Sequence, residues 1–353
     1  MARFYKKRNV SFGKKPGEAV YIGNKSNETP YVTWISFDVN NIERFDELSN
    51  FSEISLKPDK INWLSVHGLS DVNFLSDMKL KYDIPSLVIA DLMNTGLRPK
   101  ISIWDEGLFL SMKSLESPED SIQTNSEQVS FLLLENCLIT FQETKLDHFK
   151  TIHERLDQKF GKVRGKTADY LLYSHMDCLV DQYISVVQNL AEQIETLCLE
   201  FRETPGKQTI LAANILNREL LYLRKTINPV REMIKRLFET ENQSIQKSTK
   251  PYISDLYSSV IQLSETIDIY KDILSSEMDT YTVMLNNKLN EIMKLMAIVS
   301  VIFLPMTLIT GIYGTNFDFI PELGMKFGYL YLWAILLSIS SVLVLYFKKK
   351  KWL

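Results

Sequence analysis

Asp279, Thr282, Asn286, Leu289, Met293, Met296, Ser300, Leu304, Thr307 and Gly311 are each three or four residues from the next. That spacing keeps side chains on one face of a helix. The face mixes carboxylate, carboxamide, hydroxyl and unbranched apolar groups. Around a central axis it would make alternating polar rings and hydrophobic constrictions, the two devices from which ion pathways are built. Any membrane helix offers several such stripes, so spacing alone leaves an arbitrary lipid-facing or packed face as the competing reading.

Other groups that could do chemistry are few. Gly161-Lys162-Val163-Arg164-Gly165-Lys166-Thr167 has three residues between its glycines, where a phosphate-binding loop needs four, and a helix rather than a strand is expected before it. No Gly-x-Ser-x-Gly elbow, His-Glu-x-x-His helix or complete calcium loop occurs. Of the four histidines, His67, His148, His153 and His175, only His148 and His153 are close in sequence, and their i, i+5 spacing places them poorly on one helix face. Cys137, Cys178 and Cys198 have no paired spacing and are expected to be reduced and buried. Catalysis is not expected.

The stripe lies in the last part of a 353-residue chain with a net charge of −3. That charge says little about partners, because it averages a charged region with an uncharged one. Two apolar runs, Leu295 to Tyr313 and Phe327 to Phe347, contain no Asp, Glu, Lys or Arg. Each is long enough to cross the ~30 Å hydrocarbon core, which needs ~20 residues of helix. Residues 314–326 join them, and Lys348, Lys349, Lys350 and Lys351 follow. A two-span hairpin puts both ends on one side, and the lysines favour the cytoplasm for that side. The basic N-terminus has no apolar core behind it, so no secretory signal peptide is expected.

The rest of the chain must carry this hairpin. Residues 1–18 are basic and polar and are expected to be flexible. Residues 19–145 read as a cytoplasmic α/β domain. Strand signals are Tyr31 to Phe37, Ile61 to Val66, Ile101 to Trp104, Leu108 to Met112 and Val129 to Phe141. Asp105-Glu106-Gly107 reads as a hairpin turn. Helical stretches near Leu69 to Tyr82 and Ser86 to Thr95 complete an α/β sandwich. Residues 146–250 form a helical region. Helical periodicity runs over His148 to Phe160, Thr167 to Phe201 and Gln208 to Phe238, with Pro205 and Gly206 breaking the last two into a long hairpin.

Residues 251–313 read as one helix. Pro251 suits its first turn, and no further Pro or Gly appears until Pro305. Ile253, Leu256, Val260, Leu263, Ile267, Tyr270 and Leu274 form a heptad seam. A helix from Tyr252 to Ile312 would be roughly 90 Å long. The seam predicts that several copies pack side by side to support it.

Tyr313-Gly314-Thr315-Asn316-Phe317 resembles the Tyr-Gly-Met-Asn-Phe signature of the CorA family of divalent-cation channels, except at Thr315. Pro305, Gly311-Ile312, Pro321-Glu322 and the ending Tyr346 to Leu353 resemble the family as well. So do Leu97-Arg98-Pro99-Lys100, Arg164 to Tyr173 and Arg224 to Ile227. The resemblance covers essentially the whole chain. It implies a funnel-shaped homopentamer in the inner membrane. Each subunit would supply an α+β cytoplasmic domain (the sandwich plus the long helical hairpin), one very long pore helix, and a second peripheral span.

The resemblance also implies roles. Gly314, Thr315 and Asn316 would form the external capture loop, with Asp318 and Glu322 concentrating cations there. Mg2+ holds its waters tightly, so carboxamide oxygens can recognise the hydrated ion. Met293 matches the family's hydrophobic gate, with Met296 one turn above it, and Asp279 matches an acidic ring below. Asn286, Leu289, Leu304, Thr307 and Gly311 are assigned to the pore. Asp91, Asp255 and Asp177 match carboxylates that bind a regulatory divalent ion between subunits. Ala90 stands where the family often has glutamate, which leaves a second regulatory ion open.

The implied cargo is Mg2+, with Co2+ or Ni2+ also passing. Membrane lipid and further copies of the chain are the implied partners, with no nucleic acid and no other small-molecule substrate. Because of Thr315, a Zn2+ transporter of the ZntB type stays open, as does a non-conducting membrane-anchored Mg2+ sensor.

Overall fold

Runs of β-branched and aromatic residues build the sheet, and the computed structural model describes residues 13, 15, 17–23, 29–48, 51–118, 121–144, 146–203, 206–316 and 320–352. Among the described residues there are seven strands: β1 (Tyr31–Phe37), β2 (Ile42–Leu48), β3 (Ile61–His67), β4 (Lys100–Trp104), β5 (Gly107–Glu116), β6 (Asn125–Leu133) and β7 (Cys137–Gln142). Their order across the sheet is β2-β1-β3-β7-β6-β5-β4. β3 and β7 pair in parallel and the other neighbours are antiparallel. The expected hairpin at Asp105 and Glu106 is there, with Trp104 opposite Gly107.

Two strand expectations change. The stretch from Val129 to Phe141 is two strands, because Leu134 N–H turns back to the Cys137 carbonyl at 2.9 Å. Asn136 holds that corner by donating to the carbonyls of Lys57, Pro58 and Lys60. β2, absent from the expected strands, covers one edge of the sheet. Its residues are mostly exposed, and its charged side chains discourage pairing with another chain.

One face of the sheet is covered by α1 (Val72–Lys81) and α2 (Ser86–Leu92). Leu75, Met78, Val88 and Ile89 meet Val32, Leu64, Val66 and Ile139 in one apolar core. Asp71 caps α1 by accepting from the N–H groups of Asn73 and Phe74. Behind the other face lie α3 (Lys150–Asp157), α4 (Ala168–Glu203) and α5 (Lys207–Glu239). α4 packs on β5, β6 and β7, and α5 packs on β4. The layers are therefore helix, sheet, helix.

α6 (Lys250–Tyr313) spans 64 residues. Ile253, Leu256, Val260, Leu263, Ile267 and Leu274 of its seam are all buried, and Tyr270 is half-buried. They are buried within this single chain. Ser264 Oγ donates to Asn228 Oδ1 of α5 at 2.7 Å, Arg224 of α5 pairs with Asp268 at 3.0 Å, and Tyr270 donates to Glu195 of α4 at 2.8 Å. The expectation that the seam packs against other copies is thus corrected. A heptad stripe reports that a face is covered, and here α4 and α5 cover it.

The chain divides into two compact units, Met1–Ser275 and Ser276–Leu353. In the second unit the rest of α6 packs with α7 (Gly328–Lys349). Both helices are long and apolar enough to cross a membrane. Ser340 of α7 donates to Met306 Sδ at 3.7 Å. Lys294 donates to the Lys351 carbonyl at 3.2 Å and lies over the Trp352 ring. α7 ends in a Schellman turn: Lys351 adopts φ 57°, Trp352 N–H reaches the Phe347 carbonyl, and the two rings stack.

Candidate functional site

The long stripe is built by the part of α6 that belongs to the second unit. Asp279, Thr282, Asn286, Leu289, Met293, Met296, Ser300, Leu304, Thr307 and Gly311 are all exposed in the single chain. Met293 is 67% exposed and Leu304 72%, so no other part of the same chain covers this face. Ser300, Leu304, Thr307 and Gly311 line one shallow groove of about 580 Å³, together with Thr315. Gly311 contributes by lacking a side chain. The hydroxyls of Thr282 and Thr307 donate to carbonyls one turn back, at 3.0 and 2.9 Å. Their protons are therefore spent on the helix, and what remains to be offered outward is acceptor oxygen. A face of acceptor oxygens and apolar rings suits cations and is inert otherwise.

The loop after Tyr313 begins as a helix cap. Gly314 N–H reaches the carbonyls of Thr310 and Gly311, and Thr315 N–H reaches Ile312 at 3.2 Å. The Thr315 hydroxyl donates to the same Ile312 carbonyl at 2.6 Å. The residue that departs from the signature thus closes the last turn of α6, a bond that a thioether could not donate. Asn316 follows at once and is exposed. Asp318 lies outside the described residues. Glu322 is half-buried in a short turn, Pro321–Gly324. That turn sits tightly on the start of α7: a Cβ at Gly328 would stand 2.3 Å from the Glu322 carbonyl oxygen.

The regulatory candidates lie in the first unit. Asp177 of α4 is half-buried, accepts from the Tyr173 hydroxyl, and feels the charges of Asp181 and Asp255. Burial first, then the Asp181 carboxylate, raise its carboxyl above the usual range. Burial and Asp177 likewise push the Tyr173 phenol up. The Arg155 guanidinium offsets this only in part, and the oxygen donors of the spot are hard ligands of the kind Mg2+ takes. Asp181 and Tyr173 were not among the residues expected from sequence. The i, i+4 relation of Asp177 and Asp181 on one helix was the available signal.

Asp91 is differently placed. It stands at the end of α2, where the Lys100 ammonium at the start of β4 pairs with it. Their side chains are 20% and 38% exposed. Ala90 beside it offers no ligand. Among the described residues no three His, Cys, Asp or Glu side chains come together as a metal-binding group.

The histidines are structural. His175 is fully buried against Trp63 and Phe149, and burial lowers its pKa to about 3. His148 bridges Ser114 and Glu127. The phosphate-loop look-alike follows α3, and its Arg164 is buried, donating to the Leu156 carbonyl at 2.6 Å. Cys137 and Cys198 are buried, Cys178 is half-buried, and none of the three is in a disulfide.

Comparison with known proteins gives concordant results. Residues 58–351 match the family model described as CorA-like Mg2+ transporter protein. The cobalt/magnesium transport protein CorA of Thermotoga maritima is 36% identical over 352 residues, covering 99% of this chain and 99% of that one. The complete CorA magnesium transporter structure from Methanocaldococcus jannaschii superposes with a TM-score of 0.79 at 22% identity, covering 92% of this chain and 99% of that one. The ZntB cytoplasmic domain of Vibrio parahaemolyticus superposes with a TM-score of 0.58 at 15% identity, covering 73% and 99%.

Proposed function

The chain belongs to the CorA family, and on that premise we propose how it conducts and is regulated. It is a divalent-cation transport protein that carries Mg2+ and Co2+ across a membrane, and it is not an enzyme. The observation that carries conduction is the exposed stripe of α6. Its ten positions hold acceptor oxygens and apolar groups and no Lys or Arg. Five copies around an axis would turn each position into a ring, with Asp279 as an acidic ring, Met293 and Met296 as the gate, and Asn286, Leu289, Leu304, Thr307 and Gly311 lining the path. At the outer mouth, five Asn316 carboxamides would hold hydrated Mg2+, with Asp318 and Glu322 raising its local concentration. Both termini would be cytoplasmic and the membrane the inner membrane. Ni2+ is a further cargo of this reading.

The regulatory part rests on Asp91, Asp177 and Asp255. A divalent ion between neighbouring subunits would add positive charge to the Asp177–Asp255 spot, where Arg155 offsets the carboxylates only in part. Without it the carboxylates repel, the ring of subunits loosens, and the Met293 side chains leave the axis. That is a two-state equilibrium biased by a ligand of the closed state. Because Lys100 already pairs with Asp91, an arriving ion competes with a tethered ammonium. The closed state therefore needs more ion than the carboxylates alone would require.

A Zn2+ reading gains nothing from the ZntB likeness, which at 15% identity reflects the shared fold alone. Flux into liposomes with Mg2+, Co2+ and Zn2+ offered separately tests the proposal. Mg2+ and Co2+ flux is expected. Zn2+ flux alone would make the protein a zinc transporter, and no flux with any ion would make it a sensor.

A further inference from the structure

A second charged feature lies in the first unit, away from the carboxylates of α4. A cavity of about 420 Å³ opens between β4 and the C-terminal part of α5, within the ~300–1,000 Å³ range of small-molecule sites. Its wall carries Arg98, Lys100, Arg231 and Arg236 against a single carboxylate, Glu232. Arg231 spends its charge on Glu232 at 3.2 Å and Lys100 spends its charge on Asp91. Arg98 and Arg236 are exposed and have no carboxylate partner among the described residues. Two guanidinium groups without carboxylate partners on one concave wall offer an anion two forks at once. Their planar forks fit phosphate oxygens two at a time. The inner part of the same cavity is apolar, with Pro99, Ile101 and Met233 all buried. Inorganic phosphate would leave that surface uncovered, whereas a flat heterocyclic base would cover it.

We propose that this cavity binds a nucleoside phosphate, with Arg98 and Arg236 holding the phosphates and the floor of Pro99, Ile101 and Met233 holding the base. The ligand is an effector and is not transported. Lys100 links the cavity to Asp91, since it lines the one and its ammonium pairs with the other. A phosphate that draws Lys100 towards itself leaves Asp91 unpaired and open to a divalent ion. This last consequence rests on the regulatory reading of Asp91, and the binding itself does not.

The test is calorimetric titration of the full-length protein in detergent, in metal-free buffer, with ATP, tripolyphosphate and adenosine in turn. ATP is expected to bind, and each of the other two to bind at least tenfold more weakly. The double variant Arg98→Ala/Arg236→Ala should weaken ATP at least tenfold, while Lys207→Ala at the other end of α5 should leave it unchanged. Both arginines are exposed and unpaired, so the fold should survive, and Arg98→Lys gives a second check by keeping the charge without the fork. No ATP binding, or equal binding by the double variant, overturns the site. Tripolyphosphate binding as tightly as ATP overturns the nucleoside assignment. If ATP binds but leaves the free Mg2+ needed for closure unchanged, the link through Lys100 to Asp91 falls while the site stands.

Discussion

Lys100→Met removes the ammonium that pairs with Asp91 and keeps a side chain of similar length. The two side chains are 38% and 20% exposed, so the pair lies between a surface and a buried salt bridge. Exposed pairs contribute about 0–1 kcal/mol after screening and side-chain entropy. A divalent ion that must displace Lys100 loses up to that amount at each subunit. Relieving the full ~1 kcal/mol should lower the Mg2+ needed for half-maximal closure by about fivefold, since 1.4 kcal/mol is about a factor of ten. The assay is Mg2+ influx into liposomes, read by an internal dye, with free Mg2+ clamped on the face bearing the soluble unit. Lys100→Arg, which keeps the charge, should leave the half-closing concentration near that of the parent. The difference between Met and parent should shrink in high salt, where the pair is screened. An unchanged or higher Mg2+ requirement in Lys100→Met would refute competition between Lys100 and the ion. Asp91→Asn with normal closure would remove Asp91 from the regulatory site altogether.

Further outcomes can be measured on the same protein. Thr315→Val should cost about 0.5–1.5 kcal/mol at the α6 cap through the lost hydroxyl bond, seen as faster proteolysis of the external loop, while Thr315→Ser should behave as the parent. Thr315→Met, which restores the family signature, should change Mg2+ uptake or the Mg2+/Co2+ preference if that bond positions Asn316. Because the folded protein raises the Asp177 pKa, it holds that proton more tightly than the unfolded chain. The contribution is therefore least unfavourable in acid and most unfavourable above the folded pKa. The metal-free melting temperature should fall as pH rises through that range, and Asp177→Asn should raise it at neutral pH and flatten the profile. Gly328→Ala places a Cβ against the Glu322 carbonyl and should reduce flux by displacing the external turn; normal flux would show that the turn gives way cheaply. Asp255→Lys should keep influx active at high internal Mg2+.

The apolar spans and the strands of the central sheet were readable because hydropathy and β-branched composition are local properties. β2 escaped because Glu43, Arg44, Asp46 and Glu47 interrupt its apolar residues, as suits an edge strand. The corner at Asn136 escaped because the carbonyls it satisfies come from a loop nearly eighty residues earlier. The seam of α6 was visible as a pattern, but its partner was not, since periodicity carries no information about what lies opposite. The same limit hid the pairing of Asp91 with Lys100, which sit on different elements and meet only when β4 joins the sheet. The polar stripe was found by spacing and is exposed as a whole. The role proposed for it rests on membership of the family, because exposure alone does not say what faces it.

The seam also bears on how the protein is made. Ile253 to Leu274 are buried within the first unit, and the partners that hold this stretch of α6, Glu195, Arg224 and Asn228, all precede it in the chain. The first unit can therefore complete its packing while the apolar runs are still being synthesised, as domains generally do when the N-terminal part emerges first. The membrane then receives a protein whose first unit is already packed. Insertion of the two spans becomes a late event in biosynthesis, and subunits meet one another as finished bodies instead of as folding chains.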